Sequence, residues 1–95
     1  MEEPRVRNRN EFPRSRTLPM GNVYIGRGMY SIWGNPFIIG VDGDRDEVIG
    51  KYEAWIVDQP DIIAQAKLHL KGKDLVCFCA PLRCHGDVLL RIANE

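Results

Sequence analysis

Apolar positions fall into five patterns along this 95-residue chain, and each predicts an element. Val23-Tyr24-Ile25 is a β-branched and aromatic run closed by Gly26-Arg27-Gly28, which reads as a strand. Val48, Tyr52, Trp55 and Ile56 stand at i, i+4, i+7 and i+8, one face of a helix. Asp44 is positioned to cap that helix, and Glu47 three residues on completes a capping box. Pro60 marks a break. Asp61 then caps a second helix carrying Ile62, Ile63, Ala66 and Leu70, and Gly72 ends it. Asp74-Leu75-Val76-Cys77-Phe78-Cys79 reads as a strand apolar on both faces, and Pro81 stops it because proline has no amide to donate. Val88, Leu89, Ile92 and Ala93 outline a last amphipathic helix.

Between the first strand and first helix, Trp33-Gly34-Asn35-Pro36-Phe37 is punctuated by glycine and proline, which predicts a shaped loop. Strands separated by helices favour a mostly parallel sheet. The expected fold is therefore α/β: a small, single-domain, Rossmann-like sheet flanked by helices. Residues 21–95 form the domain, and residues 1–20 form a basic arm with a short edge strand near Val6.

Composition narrows this picture. Thirteen basic and thirteen acidic residues give zero net charge, whereas a protein held to duplex nucleic acid by phosphate contacts normally carries positive excess. Duplex binding is thus not expected. The zero conceals an asymmetry. Residues 1–27 hold six arginines against three glutamates, and the remainder holds seven basic against ten acidic side chains. That leaves room for a small anionic ligand, or for an arm that docks on an acidic partner. No apolar run is long enough for a membrane span and no secretory h-region is visible. Three cysteines, an odd number confined to positions 77–84, point to a reducing, cytoplasmic setting rather than a disulfide framework.

Those cysteines also mark the densest polar cluster, a cysteine–histidine loop from Cys77 to Asp87. It lies at the carboxyl end of a strand and the start of a helix, where ligands bind open α/β sheets and helix amides favour anions. Cys84 is the candidate nucleophile, His85 the proton carrier and Asp87 the group orienting it, with Cys79 and Gly86 lining the ligand. The bland alternative makes Asp87 a helix cap, Gly86 a turn residue and Cys84 a small hydrophobe. A zinc site from Cys77, Cys79, Cys84 and His85 departs from the common CxxC spacing, so no metal is expected. Cys77 and Arg83 have the Cys-x5-Arg spacing of a phosphatase loop, but Phe78, Pro81 and Leu82 replace the small residues such a loop needs. Cys79 and Cys84 could also meet across the loop. His69 reads as a helix-surface residue.

A second cluster is Gly26-Arg27 with Trp33 and Asn35. Glycine permits close approach, a guanidinium grips phosphate, an indole stacks on a base, and a carboxamide reads a base or ribose edge. Equally, Trp33 and Phe37 pack in a core and Asn35-Pro36 makes a turn.

Taken together, Val23–Gly28, Trp33–Phe37, Asp42–Ile49 with Tyr52 and Trp55, Gly72–Leu75 and Cys79–Leu89 resemble the small bacterial and phage family called domain of unknown function 4326, over about Val23 to Asn94. The positions matching its motifs are Gly26, Arg27, Trp33, Gly34, Asn35, Pro36, Cys79, Cys84, His85 and Gly86. The resemblance implies a compact α/β domain and no particular activity. Three functions are consistent with the residues. The first is binding of a nucleotide or nucleotide-derived anion, for example phage sequestration of a host signalling nucleotide. The second is hydrolysis or group transfer on such a ligand by the Cys-His loop, and the third is interaction alone. No cofactor is expected, and a site this small invites completion by a homodimer.

Overall fold

The computed structural model describes residues 3–13, 18–28 and 31–95; Arg14 and Arg16 of the basic arm lie outside them. Three strands, β1 (Val6–Asn8), β2 (Asn22–Tyr24) and β3 (Asp74–Cys77), form a parallel sheet in the order β1-β3-β2. Three α-helices complete the domain: α1 (Arg45–Ile56), α2 (Pro60–His69) and α3 (His85–Asn94). The strand expected near Val6 is β1, an edge strand paired to β3 with Val6 opposite Leu75. A radius of gyration of 12.7 Å is close to the ~12 Å expected for a compact chain of this length.

The latest strand in sequence occupies the centre, which is why it is the most apolar. Leu75, Val76 and Cys77 are all buried, as a strand with neighbours on both sides must be. Alternation sends Leu75 and Cys77 to one face, with Val6 and Val23 beside Leu75. There they join the main core with Ile25, Tyr52, Ile56, Leu70 and Leu89. The three helices contact one another as a single layer over this face, and α3 touches both β1 and β3. Val76 points the other way, and its cross-strand neighbours are Arg7 and Tyr24. Long side chains roof that face. Arg7 stacks on Phe12 with its guanidinium carbon 4.6 Å from the ring centroid, and Tyr24 meets Phe78 edge-on at 6.3 Å.

Helix starts follow local chemistry. Asp44 accepts from the Glu47 amide at 2.9 Å and Glu47 reaches back to the Asp44 amide at 3.1 Å, the expected capping box. The second helix departs from expectation. Pro60 is its first residue and Gln59 precedes it with no side-chain cap, so Asp61 sits inside the first turn. Proline is preorganised for that place, where its missing N–H leaves no bond unmade. The last strand is also shorter than its apolar run suggests. It stops at Cys77, and Phe78 is 60% exposed. No helix among the described residues is long and apolar enough to cross a membrane.

Candidate functional site

Where β2 and β3 end and α3 begins, the chain leaves a cavity of about 370 Å³, within the usual size range of small-molecule sites. Its lining comes from both clusters that the sequence singles out. Gly26, Arg27 and Asn35 contribute from the first; Cys77, Cys79, Cys84 and His85 contribute from the second. Arg45 and Arg83 join Arg27, and Phe37, Ile38, Ile39 and Phe78 supply apolar surface. No aspartate or glutamate lines it among the described residues.

The first cluster turns most of its polar atoms inward. Arg27 Nε donates to the Asn35 carbonyl at 2.8 Å and its Nη2 to the Phe37 carbonyl at 2.9 Å, closing the loop onto the end of β2. Asn35 is 7% exposed; its Nδ2 donates to the Val48 carbonyl at 3.2 Å and its Oδ1 accepts from the Phe37 amide at 2.9 Å. Loop carbonyls removed from water need such donors, and these two side chains provide them. Asn35 therefore pins the loop to α1 and is not an open reader of a ligand edge. Trp33 is a second correction. Its ring is buried in the core, away from the cavity lining, and its carbonyl accepts from the Tyr52 hydroxyl at 2.9 Å. An indole with that much apolar surface is stabilised more by burial than by waiting for a ligand. Gly26 answers to its neighbour: a Cβ there would lie 2.3 Å from the Tyr24 hydroxyl oxygen, which folds back to donate to the Arg27 carbonyl at 3.0 Å.

The second cluster keeps more of its chemistry uncommitted. Cys84 is the N-cap of α3: its Sγ accepts from the Gly86 amide at 3.3 Å, while Asp87 Oδ2 accepts from the Cys84 amide at 3.0 Å. Asp87 is thus the capping partner, and the role of orienting His85 is not its own. His85 is instead fixed by Nε2, 2.7 Å from the Ile25 carbonyl oxygen, with the Tyr52 ring edge-on at 5.1 Å. Because a carbonyl only accepts, Nε2 carries the proton and the lone pair of the neutral ring is on Nδ1. Burial pushes the imidazole pKa below its ordinary 6.5, against the Ile25 carbonyl, which favours the charged form. Gly86 is required by packing, since a Cβ there would come within 2.8 Å of Ile25 Cδ1.

The sulfurs converge more than their spacing suggests. Cys77 and Cys84 Sγ are 3.3 Å apart, and all three sulfurs lie within 4.8 Å of one another. A strand ending at Cys77, a turn through Cys79 and a helix cap at Cys84 fold the eight-residue segment back on itself. The Cys84 thiol hydrogen bond, joined by the amides of Cys79 and Ala80, pulls Cys77 below the ordinary thiol value of 9.0 despite burial. The same pairing and burial push Cys84 up. The directions of the two shifts make Cys77 the more acidic of the pair, whereas the sequence singles out Cys84 as the nucleophile. Arg83 directs Nη1 to Asp46 on α1 at 2.9 Å.

Residues that sequence reasoning missed are Arg45 and the apolar wall, while Cys77, weighed there only for a zinc site or a phosphatase loop, joins the lining. Arg45 carried a signal: a cation in the first turn of a helix opposes the helix dipole, so it needs another reason to be there. Here its Nη1 donates to the Arg83 carbonyl at 3.0 Å, which ties α1 to the cysteine loop. Arg5, Arg7 and Arg9, the described arginines of the arm, are not part of the lining. Arg7 pairs with Glu11 at 3.3 Å and Asp74 at 3.6 Å.

Comparison with known proteins places these residues in a family. The chain is 33% identical over 78 residues, 78% of its length and 68% of the relative's, to an uncharacterized 12.4 kDa protein in the nrdA-td intergenic region of Enterobacteria phage T4. No solved structure matches it. The model of the domain of unknown function DUF4326 matches residues 9–95, which hold β2, β3, the three α-helices and the cavity lining but not β1, and the chain belongs to that family.

Proposed function

We propose that this protein binds a small anionic, nucleotide-derived ligand in the cavity at the carboxyl ends of β2 and β3. The observation that carries the reading is the sign of the lining: Arg27, Arg45 and Arg83 contribute to it and, among the described residues, no aspartate or glutamate does, Arg83 being paired with Asp46 outside the lining. A cavity lined by one sign of charge with low-dielectric walls concentrates ions of the other sign. The aromatic and branched side chains of Phe37, Ile38, Ile39 and Phe78 give a purine or pyrimidine ring an apolar face. The Rossmann-like rule that ligands sit outside the carboxyl ends of parallel strands agrees with this location. Capture without turnover would suit sequestration of a signalling nucleotide.

A second reading rests on one different observation: Cys77, its thiol pKa lowered by the Cys84 hydrogen bond, and His85, its imidazole pKa lowered by burial, line the same cavity. A nucleophile and a base would make the protein an enzyme that hydrolyses the nucleotide or transfers a group from it.

Thermal shift and product analysis with mono-, di- and cyclic nucleotides, with inorganic phosphate as control, separate these readings. A shift without product, weakened about tenfold in Kd by Arg45→Ala, supports binding. Product formation lost in Cys77→Ser supports the enzyme. A shift with phosphate equal to that with every nucleotide removes the nucleotide from the proposal, and no shift with any compound overturns it.

A further inference from the structure

We infer that Cys77, Cys79 and Cys84 form a zinc site whose fourth position opens to the cavity. Three sulfurs within 4.8 Å of one another are already close to the geometry a single ion requires. Zinc–thiolate bonds of ~2.3 Å in a tetrahedron set sulfur–sulfur separations of ~3.8 Å, so the 3.3 Å pair opens by only about 0.5 Å. Soft thiolates select thiophilic cations over magnesium or calcium.

Four further features of the structure suit a metal-bound thiolate set. Backbone amides already point at two of the sulfurs, Cys79 N to Cys77 at 3.5 Å and Gly86 N to Cys84 at 3.3 Å. Such outer donors stabilise the negative sulfur and fix its direction. The turn that presents Cys79 is held from β1, where Asn8 Nδ2 donates to the Phe78 carbonyl at 3.2 Å and the Ala80 carbonyl at 2.7 Å. Three thiolates around a divalent ion leave one net negative charge, and the same cavity carries Arg27, Arg45 and Arg83. All three cysteines line the cavity, so the ion has a route in although Cys77 and Cys84 are buried.

His85, the fourth ligand that the sequence offers, is outside the cluster because its Nε2 is held at the Ile25 carbonyl. Three protein ligands with water in the remaining position is the pattern of an open zinc site, not of a closed structural one. The inference does not depend on nucleotide binding. It competes with the covalent reading, because a thiolate bound to zinc is not a free nucleophile.

The test uses the full-length reduced protein, stripped with a chelator and titrated with Zn²⁺ against a chromogenic competitor, with no nucleotide present. One ion per chain is expected, with all three thiols protected from iodoacetamide. Co²⁺ in its place should show intense near-ultraviolet sulfur-to-metal charge transfer. Cys84→Ser changes a helix cap as well as a ligand, so the decisive variant is Cys79→Ser, at a partly exposed position outside the strand. It should keep its thermal midpoint without metal and lose at least ~100-fold in zinc affinity, no less than loss of an outer-shell partner costs. Substoichiometric zinc, a cobalt spectrum without thiolate charge transfer, or wild-type affinity in Cys79→Ser would each overturn the inference. Copper(I) binding without zinc binding would do so as well.

Discussion

The loop from Arg27 to Phe37 and the loop from Cys77 to His85 look equally chemical in sequence, yet they serve the cavity differently. In the first, guanidinium, carboxamide and indole are engaged by the protein itself. Arg27 and Asn35 satisfy loop and helix carbonyls, and Trp33 fills the core. In the second, two sulfurs face each other and the third lies close by, while His85 is anchored, among the described residues, through Nε2 at the Ile25 carbonyl. The contrast has a physical origin. Nitrogen and oxygen donors near a buried irregular backbone are recruited to its unpaired carbonyls, whereas thiols hydrogen-bond weakly and pack like small hydrophobes. A loop rich in amide and guanidinium groups is thereby drawn into scaffolding, and a loop rich in thiols keeps its reactivity.

The largest test of this contrast is Trp33→Ala. If the indole belongs to the scaffold, urea unfolding should show a loss of ~3–5 kcal/mol; a stable variant with weakened ligand binding would restore Trp33 to the site. Asn35→Ala comes next, with an expected loss of ~1–3 kcal/mol for removing the acceptor of the Phe37 amide and the side-chain donor that ties the loop to the Val48 carbonyl of α1. Asn35→Asp should be no better, since it keeps the shape but not the donor.

On the other loop, His85 makes a pH prediction. Its folded pKa lies below the unfolded value, so the unfolded chain binds more protons as acid is added. The stabilisation is present above pH 6.5 and is lost as pH falls through the lower folded value. Thermal midpoints measured downward from neutrality should fall, and His85→Gln, which can still donate to the Ile25 carbonyl, should flatten that slope. The smallest effect is expected from Arg83→Ala. Its pair with Asp46 is 69% and 76% exposed at the two side chains, and such pairs contribute ~0–1 kcal/mol. A larger loss of stability would mean that Arg83 does more than line the cavity.

Much of the scaffold is legible in the sequence because short-range rules govern it. Asp44 and Glu47 announce the start of α1, and the spacing of Val88, Leu89, Ile92 and Ala93 announces the buried face of α3. The errors arise where two local rules compete or where a partner is distant. Asp61 yields the helix start to Pro60 because a fixed φ at the first position needs no side-chain cap. Asp87 is within reach of both His85 and the Cys84 amide, and the helix end claims it. The strand stops at Cys77 rather than Cys79, and the Cys77 sulfur lies 3.3 Å from that of Cys84.

By itself the sequence determined the element types, the location of a cavity at strand ends and helix start, and the family, since each rests on residues close together or on a long motif. Only the tertiary structure decided that the last strand takes the centre of the sheet, that Arg45 and Arg83 meet Arg27 around one cavity, and that three sulfurs spread over eight positions converge. The first two depend on packing between segments far apart in the chain, and the third on a turn that Asn8 holds from β1. Side-chain periodicity records that a residue is buried, and it carries no record of which neighbour buries it.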